Sequence, residues 1–271
     1  MTDRYCVFGN PIGHSKSPLI HAAFARQTGQ NIRYDAILAP QDNFAGALQD
    51  FITAGGCGAN VTVPFKEDAY RLSTRRTPRA ELAGAVNTLT FKDGEVVGDN
   101  TDGAGLTRDL TVNLVCPLKN QRILLLGAGG AARGAIGPLL DAQPALLTIA
   151  NRTASKANAL AEHFSPCGPV SGSSYTGLTG QSFDLIINAT SASLSGALPP
   201  LPAGVFAAGS LAYDMMYGKG DTPFMTFARQ QGAARVADGL GMLVEQAAEA
   251  FFIWRGVRPD SVPVMALLRD A

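Results

Sequence analysis

A glycine-rich turn separates a short apolar segment from an alanine-rich one. Gly127, Gly129 and Ala132 stand in the spacing Gly-x-Gly-x-x-Ala, directly after the apolar run at residues 123–126. Such a turn lets the backbone approach a pyrophosphate, and the positive end of the following helix then faces the phosphates. The pattern favours a dinucleotide site, although glycine-rich strand-to-helix turns also occur without any ligand.

An arginine stands where NAD-binding domains usually carry an acidic residue, roughly 20 residues beyond the glycines. The next apolar run, residues 145–150, ends in Asn151-Arg152-Thr153. A guanidinium binds a phosphate through two parallel charge-assisted hydrogen bonds, so Arg152 favours the 2′-phosphate of NADP over the ribose hydroxyl of NAD. The alternative is an arginine in a solvated loop.

Composition limits the classes of function. The 271 residues suffice for one large domain or two ordinary ones, and basic and acidic residues balance at 22 each. No overall charge therefore favours nucleic acid or an anionic membrane. The four cysteines are scattered and show no metal-ligand spacing with the three histidines, so no metal is expected. Without a signal peptide or an apolar run of membrane-spanning length, the expected compartment is the cytoplasm.

Strand and helix patterns alternate along the chain, which predicts an α/β protein built from two units. The predicted strands are 4–8, 32–38, 59–63, 86–92, 95–97, 123–126, 145–150, 183–188, 210–214 and 234–237. Strands 86–92 and 95–97 form a hairpin through Asp93-Gly94. The predicted helices include 41–54, 104–114, 240–255 and 262–268. Ser17 before Pro18 fits an N-cap, and residues 188–196 predict a ligand-binding loop at a sheet edge.

Eight blocks together resemble the shikimate dehydrogenase family, in its order and at close to its spacing. They are Val7-Phe-Gly-Asn-Pro-Ile-Gly-His-Ser-Lys-Ser-Pro18, Asn60-Val-Thr-Val-Pro-Phe-Lys66, Ala85-Val-Asn-Thr88, Gly98-Asp-Asn-Thr-Asp102, Gly127-Ala-Gly-Gly-Ala131, Asn151-Arg-Thr-x-x-Lys156, Tyr213-Asp-Met-Met-Tyr217 and Gly239-Leu-Gly-Met-Leu-Val-x-Gln246. The blocks span nearly the whole chain, so together they are far more specific than any one alone.

The resemblance implies NADP-dependent interconversion of 3-dehydroshikimate and shikimate, a step in aromatic amino-acid biosynthesis. It implies an N-terminal α/β substrate domain, residues 1–103 completed by 239–271. A Rossmann-type doubly wound nucleotide-binding domain, residues 104–238, is inserted into it. The resemblance leaves the oligomeric state open between monomer and homodimer.

The resemblance also assigns residue roles. Lys66 is the general acid/base and Asp102 its partner. The residues implied to line the substrate are Ser15, Ser17, Thr62, Asn87, Tyr217 and Gln246. The residues implied to contact the nucleotide are Gly127, Ala128, Gly129, Gly130, Ala131, Asn151, Arg152, Thr153, Lys156, Met215 and Gly239.

Each role has a plainer alternative. Lys66 is otherwise a solvated lysine in the first turn of a helix, Asp102 a turn or capping residue, and Gln246 a solvated glutamine. His14 beside two serines invites a hydrolase interpretation, but adjacent residues seldom have triad geometry, and the chain has no Gly-x-Ser-x-Gly elbow. Two functional alternatives stay open: a dehydrogenase that also accepts quinate, and an inactive protein that senses NADP.

Overall fold

A computed structural model describes residues 2–190 and 198–270. The strands are β1 (Asp3–Gly9), β2 (Ile32–Leu38), β3 (Gly56–Val61), β4 (Arg75–Arg76), β5 (Thr88–Lys92), β6 (Glu95–Asp99), β7 (Arg122–Leu126), β8 (Leu146–Ala150), β9 (Val170–Ser173), β10 (Phe183–Asn188), β11 (Phe206–Asp214) and β12 (Arg235–Asp238). The α-helices are α1 (Ser17–Thr28), α2 (Phe44–Thr53), α3 (Lys66–Leu72), α4 (Pro78–Ala83), α5 (Asp102–Arg108), α6 (Gly130–Asp141), α7 (Ala154–Phe164), α8 (Pro223–Gln230), α9 (Leu240–Arg255) and α10 (Val262–Arg269).

The chain forms two compact units. The first comprises Met1–Gly105 and Val244–Ala271, and the second Leu106–Leu243, so the second is inserted into the first. Both are α/β units, which confirms the predicted fold class. Most of the loop predicted at 188–196 lies outside the described residues.

The sheet of the first unit has six strands in the order β2-β1-β3-β5-β6-β4. Strands β1, β2 and β3 are parallel, whereas β5 pairs antiparallel with both β3 and β6. The tight turn between β5 and β6 has positive φ at Asp93 and Gly94, as a two-residue hairpin requires. The core of the first unit is apolar, with Phe8, Phe44 and Phe65 nearly fully buried.

The C-terminal segment completes the first unit. Trp254 of α9 stacks on Tyr5 of β1, with ring centroids 4.6 Å apart. Arg255 donates to the carboxylate of Asp3 over 2.5 Å. The two ends of the chain therefore pack into one core.

The sheet of the second unit is parallel throughout, in the order β12-β11-β10-β7-β8-β9. Counted along the chain from β7, this is the order 3-2-1-4-5-6 of a dinucleotide-binding Rossmann sheet. Strand β7 lies at its centre, and residues 123–126 are fully buried, as a strand covered on both faces requires.

Local differences from the sequence predictions have simple causes. Strand β9 was not predicted, because Val-Ser-Gly-Ser carries little apolar signal and lies at the edge of the sheet. The helix predicted at 104–114 is α5 followed by a π-helical turn at Asp109–Asn113. Within residues 2–190 and 198–270, no helix has the length and apolar character needed to cross a bilayer.

Candidate active site

The site residues of the first unit gather at one edge of its sheet. Strands β1 and β3 are parallel neighbours, so the segments that follow them leave the sheet at the same edge. Asn87 joins this edge because its carbonyl accepts from the backbone N–H of Val61 over 2.8 Å. Thr88 pairs with Asp99, so the segment that follows β6 arrives there as well. The edge thus collects side chains from four separate stretches of sequence.

Lys66 and Asp102 form an ion pair at this edge. The Nζ group of Lys66, the first residue of α3, donates to Oδ2 of Asp102 over 2.5 Å. The side chains are 24% and 11% exposed, so the pair is largely shielded but still reaches the surface. An ammonium held in this way can donate a proton to a small molecule. The two residues that the resemblance paired by role are also paired in space.

The side chain of Asn87 holds Asp102 from the other side. Its Nδ2 group donates to Oδ1 of Asp102 over 2.8 Å and to Oγ1 of Thr101 over 3.0 Å. Its Oδ1 atom accepts from the backbone N–H of Thr101 over 2.8 Å. Both carboxylate oxygens of Asp102 are therefore engaged, which fixes the plane of the carboxylate.

Gln246 of α9 extends this network. Its Oε1 atom lies 3.4 Å from Nδ2 of Asn87 and 3.5 Å from Oγ1 of Thr101. The side chain is partly buried. The interpretation of Gln246 as a solvated glutamine is therefore wrong.

Ser15, Ser17 and Thr62 follow the ends of β1 and β3. Ser17 is buried, whereas Ser15 and Thr62 are partly buried. The capping role predicted for Ser17 is wrong, because Ser17 is the first residue of α1 and no side chain caps that helix. Instead, the backbone N–H of Ser17 donates to Oγ of Ser15 over 3.3 Å.

A second layer of buried polar groups lies behind this edge. The hydroxyl of Tyr34 donates to Oδ1 of Asn60 over 2.7 Å. The Nδ2 group of Asn60 donates to the carbonyl of Asn87 over 3.2 Å and to Oγ1 of Thr88 over 3.1 Å. Burial raises the pKa of Tyr34 well above its ordinary value, so its hydroxyl stays protonated and remains a donor.

In the second unit, the glycine-rich turn connects β7 to α6. Gly127 has φ +108°, which strongly favours glycine, and a side chain there would approach Ala189 and Thr190. A Cβ added to Gly129 or Gly130 would instead meet no atom within 4 Å, apart from chain neighbours and the adjacent backbone of α6. The first glycine is therefore required by the backbone, while the next two leave space in front of the helix.

That space belongs to a cavity of about 580 Å³ in the second unit. Its lining comprises Gly127, Ala128, Gly129, Gly130, Ala131, Asn151, Arg152, Tyr175, Ala189, Thr190, Leu198, Pro199 and Pro200. Burial raises the pKa of Tyr175, and the nearby charge of Arg152 offsets part of that shift. The Gly-rich turn and Arg152 thus share one cavity. Thr153 follows Arg152 in sequence and is exposed.

Met215 and Gly239 meet through their backbones. A Cβ on Gly239 would overlap the carbonyl group of Met215, so only glycine fits. The backbone N–H of Met215 donates to the carbonyl of Asn188 over 2.9 Å, and that of Gly239 donates to the carbonyl of Met216 over 3.0 Å. Tyr217 follows in the same loop and is 38% exposed.

The second unit fits NADP. The open space in front of Gly129 and Gly130 is a cradle that any side chain would fill, and the backbone N–H groups at a helix N-terminus suit a pyrophosphate. Arg152 supplies a cation to the same cavity. Among the described residues, no group of three His, Cys, Asp or Glu side chains is placed to hold a metal ion.

Three stretches of the chain match known domain families. Residues 7–89 match the shikimate dehydrogenase substrate binding domain, 109–195 shikimate/quinate 5-dehydrogenase, and 239–269 the shikimate 5′-dehydrogenase C-terminal domain. A shikimate dehydrogenase (NADP(+)) of Dechloromonas aromatica (strain RCB) is 68% identical over 269 residues, which cover 99% of this chain and 98% of the relative. The chain belongs to the shikimate dehydrogenase family. This confirms the resemblance drawn from the eight sequence blocks.

Solved structures of similar proteins agree with this assignment. An Ael1 enzyme from Pseudomonas putida is 54% identical, with a TM-score of 0.94 and 98% of each chain covered. Shikimate 5-dehydrogenase (AroE) from Thermus thermophilus, solved in complex with NADP(H) and shikimate, is 34% identical, with a TM-score of 0.88 and 99% of each chain covered. The shikimate dehydrogenase fold therefore extends over nearly the whole chain.

Sequence reasoning missed two residues of these sites. Thr101 stands inside the block Gly98-Asp-Asn-Thr-Asp102, so its neighbourhood was recognised but its bonds to Asn87 were not. Tyr175 lines the cavity of about 580 Å³ from a position just before the 3₁₀ turn that follows β9, and no motif marks it.

Proposed function

We propose that this chain catalyses the NADP-dependent, reversible reduction of 3-dehydroshikimate to shikimate. The observation that carries the mechanism is the Lys66–Asp102 ion pair, held by Asn87 in a family whose relatives bear this activity in their names. NADPH, when bound, supplies the hydride that reduces the carbonyl carbon. Gly127–Ala131, Asn151–Lys156, Met215 and Gly239 are the residues proposed to hold it.

Lys66 is proposed as the general acid. In the direction of reduction, one N–H of its ammonium transfers a proton to the carbonyl oxygen, which becomes the new hydroxyl. Asp102 holds the ammonium through Oδ2 and stabilises its positive charge before the transfer. In the reverse direction, the neutral amine removes the hydroxyl proton. Between turnovers, the amine regains a proton from solvent after reduction, and the ammonium releases its proton to solvent after oxidation.

The remaining polar side chains of the first unit are proposed to bind the substrate. Ser15, Ser17 and Thr62 supply hydroxyl donors for a carboxylate, while Asn87 and Gln246 offer amide groups for ring hydroxyls. Tyr217 is proposed to bind the substrate as well. Hydroxyls and amides at fixed positions discriminate against analogues that lack a matching polar group.

The decisive experiment replaces Lys66 with alanine. Oxidation of NADPH by 3-dehydroshikimate should lose most of its kcat, while KM for the substrate stays within a few fold, because the loss falls on the transition state. Lys92→Ala, at an exposed hairpin lysine of the same unit, is the matched control and should keep full activity. Turnover of Lys66→Ala within about tenfold of the native rate, or 1.4 kcal/mol of barrier, would contradict the assigned role.

The same assay addresses the alternatives. A protein that only senses NADP would show no turnover of 3-dehydroshikimate by the native chain, and the proposal would then be wrong. Side-by-side kcat/KM values for shikimate and quinate measure tolerance of the added C1 hydroxyl, and we expect shikimate to be strongly preferred.

The proposal includes the cytoplasm as compartment and either a monomer or a homodimer as the assembled form. Light scattering during size-exclusion chromatography would distinguish the two forms. A stable larger assembly would contradict this part of the proposal.

A further inference from the structure

A second cavity, of about 450 Å³, adjoins the nucleotide cavity of the second unit. It is lined by Ala128, Arg133, Lys156, Ala159, Leu160 and His163. Ala128 borders both cavities, so the two meet at the glycine-rich turn. They divide the Asn-Arg-Thr-x-x-Lys segment between them, because Arg152 lines the larger cavity and Lys156 the smaller.

Two helices build the walls of this smaller cavity. Lys156 is in the first turn of α7, and Ala159, Leu160 and His163 follow at the spacing of one helix face. Arg133 is the fourth residue of α6, directly after the turn proposed to hold the pyrophosphate. Leu160 is buried and forms an apolar floor, whereas Arg133 and Lys156 are exposed.

The two cations have no acidic partner in the part of the chain that the structure describes. The ion pairs found there involve neither Arg133 nor Lys156. His163 lines the same cavity, and its ring lies 4.9 Å from that of Phe164. Two uncompensated positive charges above an apolar floor create a local potential that attracts a compact dianion.

We propose that Arg133 is a further specificity-determining residue for the nucleotide, and that it contributes to the 2′-phosphate site already proposed for Arg152 and Lys156, beside Ala128. Arg152 approaches the phosphate from the larger cavity, and Arg133 and Lys156 approach it from the smaller one. Selection of NADP over NAD then depends on three cations from two segments, the Asn-Arg-Thr-x-x-Lys block and the first turn of α6. This inference rests on the proposed function, because it assigns a further residue to the same cofactor.

Isothermal titration calorimetry of the full chain without substrate tests the inference with three fragments of the cofactor. Adenosine 2′,5′-bisphosphate carries the 2′-phosphate, 5′-AMP lacks it, and 5′-ADP carries a pyrophosphate instead. Arg133→Gln should weaken binding of the bisphosphate about tenfold and leave 5′-AMP and 5′-ADP within about twofold, as removal of one phosphate-pairing cation predicts. The loss should shrink as salt is raised, because the cation is exposed.

Lys119→Gln is the matched control. Lys119 is an exposed lysine of the same unit and precedes β7. The substitution therefore removes one charge at the opposite end of the parallel sheet. It should leave the affinities for all three fragments unchanged. Thermal unfolding of Arg133→Gln should match that of the native chain, since the side chain is exposed.

Two results would overturn the inference. One is an unchanged affinity of Arg133→Gln for the bisphosphate. The other is an equal loss for 5′-ADP, which would place Arg133 at the pyrophosphate. Failure of the proposed function is a separate observation: the native chain would select the bisphosphate over 5′-AMP without turning over 3-dehydroshikimate.

Discussion

The imidazole ring of His21 stacks on the ring of Tyr34, with centroids 4.1 Å apart and planes inclined by 7°. His21 is fully buried, and within residues 2–190 and 198–270 neither ring nitrogen has a hydrogen-bond partner. Burial lowers the pKa of His21 to about 3, and the neighbouring Asn60 side chain offsets only part of that shift. His21 therefore remains neutral in the folded chain at pH values where it is charged in the unfolded chain.

We predict that His21→Phe makes the free energy of unfolding less sensitive to acid. The folded pKa lies below the unfolded value of about 6.5, so the contribution of His21 is fully present above that pH. As the pH falls toward 3, the unfolded chain takes up the proton first, and stability is lost at up to about 1.4 kcal/mol per pH unit. Urea unfolding at about pH 7 and about pH 5 should show the native chain losing about 2 kcal/mol more than the variant. Equal losses in both proteins would contradict a neutral buried ring.

Asn87→Ala should lower kcat/KM for 3-dehydroshikimate by about 10- to 100-fold. The variant removes the donor that holds Oδ1 of Asp102 and leaves part of that carboxylate without its partner. Steady-state kinetics would show the loss mainly in kcat if orientation of the ion pair matters for the transition state. Asn31→Ala, at an exposed site in the same unit, should stay within about twofold. A change of less than about threefold at Asn87 would show that Asp102 needs no such support.

Arg152→Asp should weaken NADP binding much more than NAD binding. The change replaces a phosphate-pairing cation in the nucleotide cavity with a charge of the same sign as the phosphate. Lys119→Asp, which reverses a charge elsewhere in the same unit, serves as control. Titration of both cofactors would measure the effect, and equal weakening of the two would reject this account of the loop.

Gly129→Ala should fold normally and yet bind NADPH poorly. A methyl group at Gly129 meets no atom of a residue beyond its two chain neighbours within 4 Å and needs no change of φ, so the melting temperature should be unchanged. The same methyl would occupy the space proposed for the pyrophosphate and lower the affinity about tenfold or more. Gly218→Ala, at another open glycine, should leave both quantities unchanged. Native affinity of Gly129→Ala would contradict the proposed position of the cofactor.

Arg79→Met should destabilise the first unit by about 2 kcal/mol. Arg79 donates to both oxygens of Asp99, over 2.6 Å and 2.8 Å, and also to Glu249 over 3.2 Å. Loss of one partner of a fully buried pair costs about 3–5 kcal/mol, and the 31% exposure of Arg79 reduces that value.

The matched control for this change is Arg33→Met, which removes an exposed pair with Asp35 and should cost less than about 1 kcal/mol. A double-mutant cycle with Asp99→Asn should be strongly non-additive. Additive losses would show that Arg79 stabilises the unit without its ion pairs.

Local sequence signals predicted much of this fold. The positive φ values of Gly127, Asp93 and Gly94 were predictable from residue type and spacing, since few other residues adopt them readily. The edge strand β9 was not predictable, because Val-Ser-Gly-Ser has no apolar alternation. The absence of a side-chain cap on α1 was not predictable either, because Ser17 is a favourable capping residue by type. The residue type of Ser17 does not show at which residue the helix begins.

The site was predictable as a set of residues but not as a network. Asn87 and Gln246 are separated by 159 positions, and only the folded chain brings their amides to 3.4 Å. The resemblance placed both beside the substrate without saying that they contact each other. The second cavity was not predictable either, because it forms where α6 and α7 pack.

The insertion of one unit within the other orders the events of protein synthesis. Leu106–Leu243 is a continuous stretch, so all strands of its sheet are translated before helices α9 and α10 are complete. The N-terminal sheet cannot complete its core until Trp254 and Arg255 are translated, because these residues pack on Tyr5 and Asp3 of β1. The N-terminal part should therefore expose apolar surface until synthesis ends, and that interval is where chaperones would act.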